Sequence, residues 1–401
     1  MTQWLTIVGI GEDGWEGLSA SGRHAIQSAR HVIGSKRTLA MLPGLVAELH
    51  EWPQPFAKVV EHVKPLAGTP TVMLATGDPM NFGAARKILT IIPKAEVRII
   101  PGLSAFSLAA AHLGWSLPDC DCFTIHGRPA ANFETFIQPD ARLLVLTEDD
   151  TSIAEACRRL AARGFEESTV TVLENLGGRD ERITTFQARD NPTLNWSPLN
   201  TLAIHCVAGK DAKIWSRIPG LPDEAFAHDG QITKREVRAA TLAALAPAPD
   251  QILWDVGAGS GSIGIEWMRS TRGCEAYAIE PSASRRALIA ANADQLGTPR
   301  LRIIDSAAPA AFAHLPPPHA VFIGGGLTAS GTFDGCWSAL RSGGRLVANT
   351  VTLDGDAALI ALQKLHGGEL LRMDVATLTH VGERRALRPR MSVLQWRVVK
   401  P

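Results

Sequence analysis

Short runs of apolar residues recur along the whole chain, separated by longer stretches in which apolar positions return at helical spacing. Runs of this length read as buried strands, and the longer stretches as helices with one covered face. In the first half the strand candidates are Leu5–Val8, Thr71–Ala75, Val97–Ile100, Arg142–Leu146, Val170–Leu173 and Thr201–Val207. The second half offers Ile252–Val256, Glu275–Ile279, Leu301–Ile304, Ala320–Ile323 and Arg345–Asn349. Strands alternating with helices from end to end predict an α/β protein whose parallel sheets are covered by helices.

Punctuation divides this series. Trp215-Ser216-Arg217-Ile218-Pro219-Gly220-Leu221-Pro222-Asp223 carries two prolines and a glycine after the last strand of the first half, and a fresh α/β series starts beyond it. The expected domains are therefore residues 1–215 and 216–401. A softer break at Leu117-Pro118-Asp119 splits the first domain into lobes of about 1–117 and 118–215. Pro316-Pro317-Pro318 stands immediately before a strand and reads as a rigid turn.

Composition narrows the partners. Forty basic and forty acidic side chains cancel, so there is no general pull toward nucleic acid or an anionic membrane, and a small-molecule partner is expected. No apolar stretch reaches the ~18 residues of a membrane span, and the N-terminus shows no signal peptide, so the cytoplasm is expected. Of six cysteines only Cys120 and Cys122 lie close together, without a second pair or a His cluster. That is a poor zinc pattern, and the other four read as small buried hydrophobes in a reducing compartment; no metal is expected.

The sharpest chemistry lies in the second half. The strand Ile252-Leu253-Trp254-Asp255-Val256 runs into Gly257-Ala258-Gly259-Ser260-Gly261, and a helical pattern opens at Ser262. Such a turn lets a ligand approach the backbone at a helix N-terminus with free N–H groups. Twenty-five residues after Asp255 the next strand ends in Glu280, whose carboxylate can accept from both hydroxyls of a ribose. Gly259 to Gly264 also satisfies G-x-G-x-x-G, the dinucleotide fingerprint, but Asp255 makes the pattern D-x-G-x-G-x-G, which favours S-adenosylmethionine over NAD. A purely structural strand–turn–helix is the third reading.

The first half repeats a formal G-x-G-x-x-G from Gly9, yet the stretch Ala29 to Arg37 has no acid for a ribose; Lys36 or Arg37 toward a 2′-phosphate keeps an NADP reading open. Three loops end strands here: Gly9-Ile10-Gly11, Ala75-Thr76-Gly77-Asp78-Pro79 and Ile100-Pro101-Gly102-Leu103-Ser104-Ala105-Phe106. Each alone is ordinary turn chemistry. Together they fall where an open parallel sheet binds ligands, beyond the carboxyl ends of its strands.

Those three loops, with Arg30–Arg37, the stretch Glu174-Asn175-Leu176-Gly177-Gly178-Arg179-Asp180-Glu181-Arg182-Ile183 and Ala203 to Ala208, resemble the tetrapyrrole methylase family over roughly 4–210. The resemblance implies a two-lobed fold with S-adenosylmethionine folded between the lobes, held by Thr76, Gly77, Asp78, Ser104 and Ala105. Glu12-Asp13 replaces the family's commoner Pro-Gly, and Asn175–Glu181 is similar to the C5-methylating branch.

Residues 218–401 resemble the precorrin methyltransferases that act at C15 and decarboxylate, through Ile218 to Phe226, Ile232 to Arg238, Trp254 to Gly261, Ala278-Ile279-Glu280, Val321 to Gly326 and Asn349 to Leu353. This implies a Rossmann-like methyltransferase domain with Thr233, Gly257, Ala258, Gly259, Ser260, Gly261, Glu280 and the backbone near Ala308 around the cofactor. Read without the resemblance, Thr233 is a helix N-cap. Ser306-Ala307-Ala308-Pro309 replaces the family's Gly-Asp-Ala-Pro, so the acid facing adenine is absent and Asp305 is the nearest substitute.

The order of the two domains resembles fused C5- and C15-methylating enzymes of cobalamin biosynthesis. It implies two S-adenosylmethionine molecules, one per domain, precorrin-6Y as substrate, decarboxylation of the C12 acetate, and a homo-oligomer. No catalytic residue is assigned. The substrate's carboxylates call for cations, and Glu383-Arg384-Arg385-Ala386-Leu387-Arg388-Pro389-Arg390 is one candidate beside a plain solvated face. His380, flanked by apolar residues, reads as a core histidine. Two competing readings are an RNA methyltransferase, against which the balanced charge argues, and a first domain that serves only as a scaffold.

Overall fold

The computed structural model describes residues 3–53 and 58–401. They divide into two compact units, Met1–Ala130 with Phe136–Lys213, and Ala131–Thr135 with Ile214–Pro401. No helix among the described residues is long and apolar enough to cross a membrane.

The first unit holds two sheets. One consists of β1 (Leu5–Ile10), β2 (His31–Gly34), β3 (Glu48–Glu51), β4 (Thr71–Thr76) and β5 (Val97–Ile100), in the order β3-β2-β4-β1-β5. Every pair is parallel, so β4, β1 and β5 release their three loops at the same edge. Five of six residues in β1 and in β4 are buried, as expected for strands covered on both faces.

The other sheet consists of β6 (Cys120–Thr124), β7 (Arg142–Leu146), β8 (Thr169–Glu174), β9 (Arg182–Gln187) and β10 (Asn200–His205), in the order β6-β7-β10-β8-β9. Here the expectation of parallel sheets throughout is corrected. Only β6 and β7 run parallel; β7–β10, β10–β8 and β8–β9 are antiparallel. For β8 and β9 the reason is local: seven residues, Asn175 to Glu181, join them, and a parallel crossover needs about a dozen. The helix Ala105–Leu113, capped by Ser104 and ended by left-handed Gly114, packs Phe106, Ala109 and Ala110 against Leu144, Leu173 and Ala203 of this sheet.

In the second unit β11 (Ile252–Val256), β12 (Glu275–Ile279), β13 (Arg302–Ile304), β14 (Ala320–Ile323) and β15 (Arg345–Thr350) pair in parallel in the order β13-β12-β11-β14-β15. The strands β16 (Glu369–Met373) and β19 (Val393–Val399) extend it antiparallel as β15-β19-β16. Alternation along β11 sends Leu253 to one core, with Leu242, Ile263 and Ile289, and Trp254 and Val256 to the other, with Phe333 and Leu359. Helices thus cover both faces, and the strand ends are left as the place for a ligand.

Between β16 and β19 the chain makes a separate hairpin, β17 (Ala376–Val381) and β18 (Arg384–Pro389). His380 sits here exposed, opposite Arg385, which corrects its reading as a core histidine. The apolar neighbours that suggested a core, Leu378 and Val381, are themselves 61% and 65% exposed.

Candidate active site

In the first unit the three strand-end loops meet through glycine. A Cβ on Gly9 would lie 2.1 Å from the Gly77 carbonyl oxygen and 2.3 Å from the Gly102 nitrogen. No side chain fits there, so the loops after β1, β4 and β5 close on one another backbone to backbone. The Gly77 N–H donates to the Ile10 carbonyl at 2.9 Å, and its φ of 61° puts it in the left-handed region.

Gly77 of this junction also lines a cavity, with Gly11, Thr76 and Ala105 from the parallel sheet's lobe and Leu173 and Thr201 from the other. The remaining two expected residues face elsewhere. Asp78 Oδ1 accepts from the Met80 N–H at 2.8 Å, closing its own turn. Ser104 Oγ accepts from the Ser107 N–H at 3.1 Å as a helix cap. The unusual Glu12 pairs with Arg37, which donates to Thr76 Oγ1 at 3.1 Å. Arg37 is therefore tied to a carboxylate at the cavity mouth, an arrangement unsuited to receiving a free phosphate.

In the second unit the glycine turn is shaped by three residues in the left-handed region, which glycine adopts freely: Gly257 (φ 71°), Gly259 (φ 58°) and Gly261 (φ 76°). A Cβ on Gly257 would meet the Gly325 backbone at 2.9 Å, so the glycine turn after β14 backs the one after β11. Around Gly259 the nearest obstacle is the Gln231 carbonyl at 3.8 Å, which leaves the turn open to a ligand. The Gly257 and Ala258 N–H groups both donate to the Ile279 carbonyl. Ser260 is buried, its carbonyl accepting from Asn292 Nδ2 at 2.9 Å.

Glu280 joins this turn. Its Oε2 accepts from the Gly259 N–H at 2.9 Å and its Oε1 from the Ser282 N–H at 3.0 Å, which fixes the carboxylate at the end of β12 with lone pairs to spare. Asp255 turns the other way: its Oδ2 accepts from the Gly264 N–H at 3.0 Å inside the helix Ser262–Ser270. Its Oδ1 is buried with no hydrogen-bond partner. Burial, with the nearby Glu280 charge adding to it, pushes this carboxyl up to about 7.

Thr233 and Ala308 make no hydrogen bond to the turn or to Glu280 among the described residues. The N-cap of the helix Arg235–Leu245 is Lys234, with no side-chain cap bond, so the reading of Thr233 as the cap is corrected by one residue. Thr233 instead lends its carbonyl to Arg238. Asp305, the substitute for the missing adenine-facing acid, is exposed and paired to Arg286 at 2.7 Å.

A buried network behind this site escaped the sequence reading. Arg238, with no exposed side-chain surface, donates to Glu266 at 2.6 Å and to Asp223 at 3.2 Å, and stacks on Phe226 at 4.7 Å. Glu266 also accepts from the Gly220 and Leu221 N–H groups. The motif residues 220–223 are thereby clamped to the helix that follows the glycine turn. A charged residue within an apolar helix pattern was the available signal; its partners lie too far along the chain to be read.

A glycine-lined strand-end turn, an acid at the neighbouring strand end and an open α/β sheet form the arrangement in which such sheets hold nucleotide-type cofactors, and comparison with known proteins gives the class. Residues 4–190 match the Tetrapyrrole (Corrin/Porphyrin) Methylases, and residues 224–400 match the Precorrin methyltransferase domain. A Sinorhizobium sp protein named precorrin-6Y C(5,15)-methyltransferase [decarboxylating] is 43% identical over 397 residues, 99% of this chain and 96% of the relative. A cobalt-precorrin-7 C(5)-methyltransferase of Salmonella typhimurium (strain LT2) is 29% identical over 45% of this chain and 88% of its own. The crystal structure of the C-terminal domain of precorrin-6Y C5,15-methyltransferase from Rhodobacter capsulatus shares 47% identity, covering 46% of this chain and 100% of that one, with a TM-score of 0.44. The chain belongs to the decarboxylating precorrin-6Y C5,15-methyltransferase family, whose methyl donor is S-adenosylmethionine.

Proposed function

We propose that this chain methylates precorrin-6Y twice, at C5 in the first unit and at C15 in the second, with loss of carbon dioxide from the C12 acetate, and that each unit binds its own S-adenosylmethionine. What supports the reading most is that two different methylase families match consecutive halves of the chain, and each half presents a glycine-lined turn at its strand ends. A relative named for C5 methylation alone spans 45% of the chain, in keeping with a divided task.

The donor supplies an electrophilic methyl on a sulfonium. An electron-rich macrocycle carbon is itself the nucleophile, so the protein's share is to hold donor and acceptor in line and to keep water out. In the second unit Glu280, braced by two backbone N–H groups, would accept from the ribose hydroxyls, with residues 257–261 against the amino-acid end and Thr233 and Ala308 at the rim. In the first unit Thr76, Gly77 and Ala105 would line the donor's cleft, with Asp78 and Ser104 holding the loops in shape. The exposed guanidiniums of Arg384 and Arg388 share one face of the β17–β18 hairpin and would meet substrate carboxylates. Arg390 pairs with Glu236 at 3.1 Å, which ties the hairpin's base to the helix just beyond Thr233.

Incubation of the full chain with precorrin-6Y and S-adenosylmethionine, followed by mass analysis, tests this. A product carrying two added methyls and lacking one carbon dioxide is expected. Turnover that stops at one methyl with both units intact would overturn the division of labour.

A further inference from the structure

Away from both clefts, the outer edge of the first sheet gathers two imidazoles and a carboxylate. The parallel register sets His31 of β2 beside Glu48 of β3, and His50 two residues on faces the same side as Glu48. His31 Nδ1 lies 3.1 Å from His50 Nε2 and 3.4 Å from Glu48 Oε2, and His50 Nε2 lies 3.8 Å from Glu48 Oε1. One ligand atom from each of the three residues fits within 4.8 Å of the other two.

We propose that His31, Glu48 and His50 form a zinc site that pins the edge strand β3 to the sheet. Zinc bonds of about 2.0–2.1 Å at tetrahedral angles separate neighbouring ligand atoms by roughly 3.3–3.4 Å. The two ring nitrogens, 3.1 Å apart, nearly match that edge length, and Glu48 reaches His31 with Oε2 at 3.4 Å and His50 with Oε1 at 3.8 Å, so the exposed carboxylate has to turn for a single oxygen to complete the set. Two neutral imidazoles and one carboxylate form a His₂Glu set, which suits zinc and leaves its fourth position to water. The His31 side chain is only 13% exposed, so its ring orientation is held by packing, while His50 and Glu48 close the site from the solvent side.

Strand β3 gives the site its purpose. It has four residues, three of them exposed, and among the described residues it pairs only with β2. An ion shared across the β2–β3 pair adds a tie where burial contributes little. None of the three side chains lines the first unit's cavity or belongs to the residues proposed for either cofactor, so the site is independent of the methyl transfers.

The test uses the full chain stripped with a chelator and titrated with zinc chloride by calorimetry, beside Glu48→Gln and His50→Gln. One equivalent per wild-type chain is expected at micromolar zinc. Each variant should weaken binding by at least ~10-fold, since each deletes a ligand. Zinc should raise the melting temperature of the wild type more than that of either variant, and S-adenosylhomocysteine binding should stay equal in all three. Zinc uptake equal in wild type and variants, or no uptake by the wild type, overturns the proposal. In the second outcome the His31–His50 contact is a hydrogen bond only.

Discussion

Gly9→Ala is the most direct probe of the first unit's cleft. The new methyl would sit 2.1 Å from the Gly77 oxygen and 2.3 Å from the Gly102 nitrogen, both backbone atoms of neighbouring loops. Ordinary carbon–oxygen contact needs roughly 3.3–3.6 Å even for a close Cα–H···O approach, so the loops after β4 and β5 must each withdraw by about an ångström. Forced overpacking of this kind costs about 1–3 kcal/mol. Gly77 begins the loop that carries Asp78 and follows Thr76, and Gly102 precedes Ser104 and Ala105, so the strain falls on the residues proposed for the donor. If about 2 kcal/mol of it is expressed in binding, affinity drops ~30-fold. Calorimetry with S-adenosylhomocysteine on the full chain separates the two sites. Wild type should take up two equivalents; Gly9→Ala should keep one at wild-type affinity and weaken the other. Gly257→Ala, whose methyl would meet the Gly325 backbone at 2.9 Å, should weaken the complementary site. A folded Gly9→Ala protein with two unaltered sites would refute the reasoning.

Three further outcomes follow from the second unit. Arg238→Met leaves Glu266 buried without its cation and should cost about 3–5 kcal/mol in denaturant unfolding, part of which Glu266→Gln added to it should recover; a loss below ~1 kcal/mol would show that the backbone donors to Glu266 suffice. Asp255, pushed up to about 7, keeps its proton in the folded chain over a range where the unfolded chain has lost it, so it makes stability fall as pH rises from about 4 to 7. Asp255→Asn cannot ionise and should remove that fall, gaining on the order of 4 kcal/mol relative to wild type above pH ~7; parallel stability–pH curves for the two proteins would contradict the assignment. Arg384→Gln with Arg388→Gln should raise the KM for precorrin-6Y at nearly unchanged kcat, as loss of uniform binding does, and steady-state kinetics showing neither constant altered would return the hairpin to a solvated face.

Local chemistry made much of this molecule legible. The strands Val97–Ile100, Arg142–Leu146, Ile252–Val256, Glu275–Ile279 and Ala320–Ile323 coincide with apolar runs, and Ile252–Val256 and Ala320–Ile323, buried almost throughout, have no polar alternation to blur their ends. The glycine turn at 257–261 was equally plain, since left-handed backbone and close approach both select glycine. Thr233 shows the limit of such reading. A threonine before a helix satisfies the capping preference, yet Lys234 holds the cap while the Thr233 carbonyl serves Arg238. His380 misled for a similar reason, as apolar neighbours in a hairpin with no cover look like core.

The amino-acid order by itself determined what depends on neighbours along the chain: strand runs, glycine turns, the acid closing β12 and the order of two methylase families. Tertiary structure alone decided what depends on distant partners. It set Arg238 between Glu266 and Asp223, closed Gly9 onto Gly77 and Gly102, and put His31 beside Glu48 and His50. Backbone preferences act over a few residues and leave a pattern in the sequence, whereas the pairing of buried charges and the meeting of loops come from packing, whose range is in space.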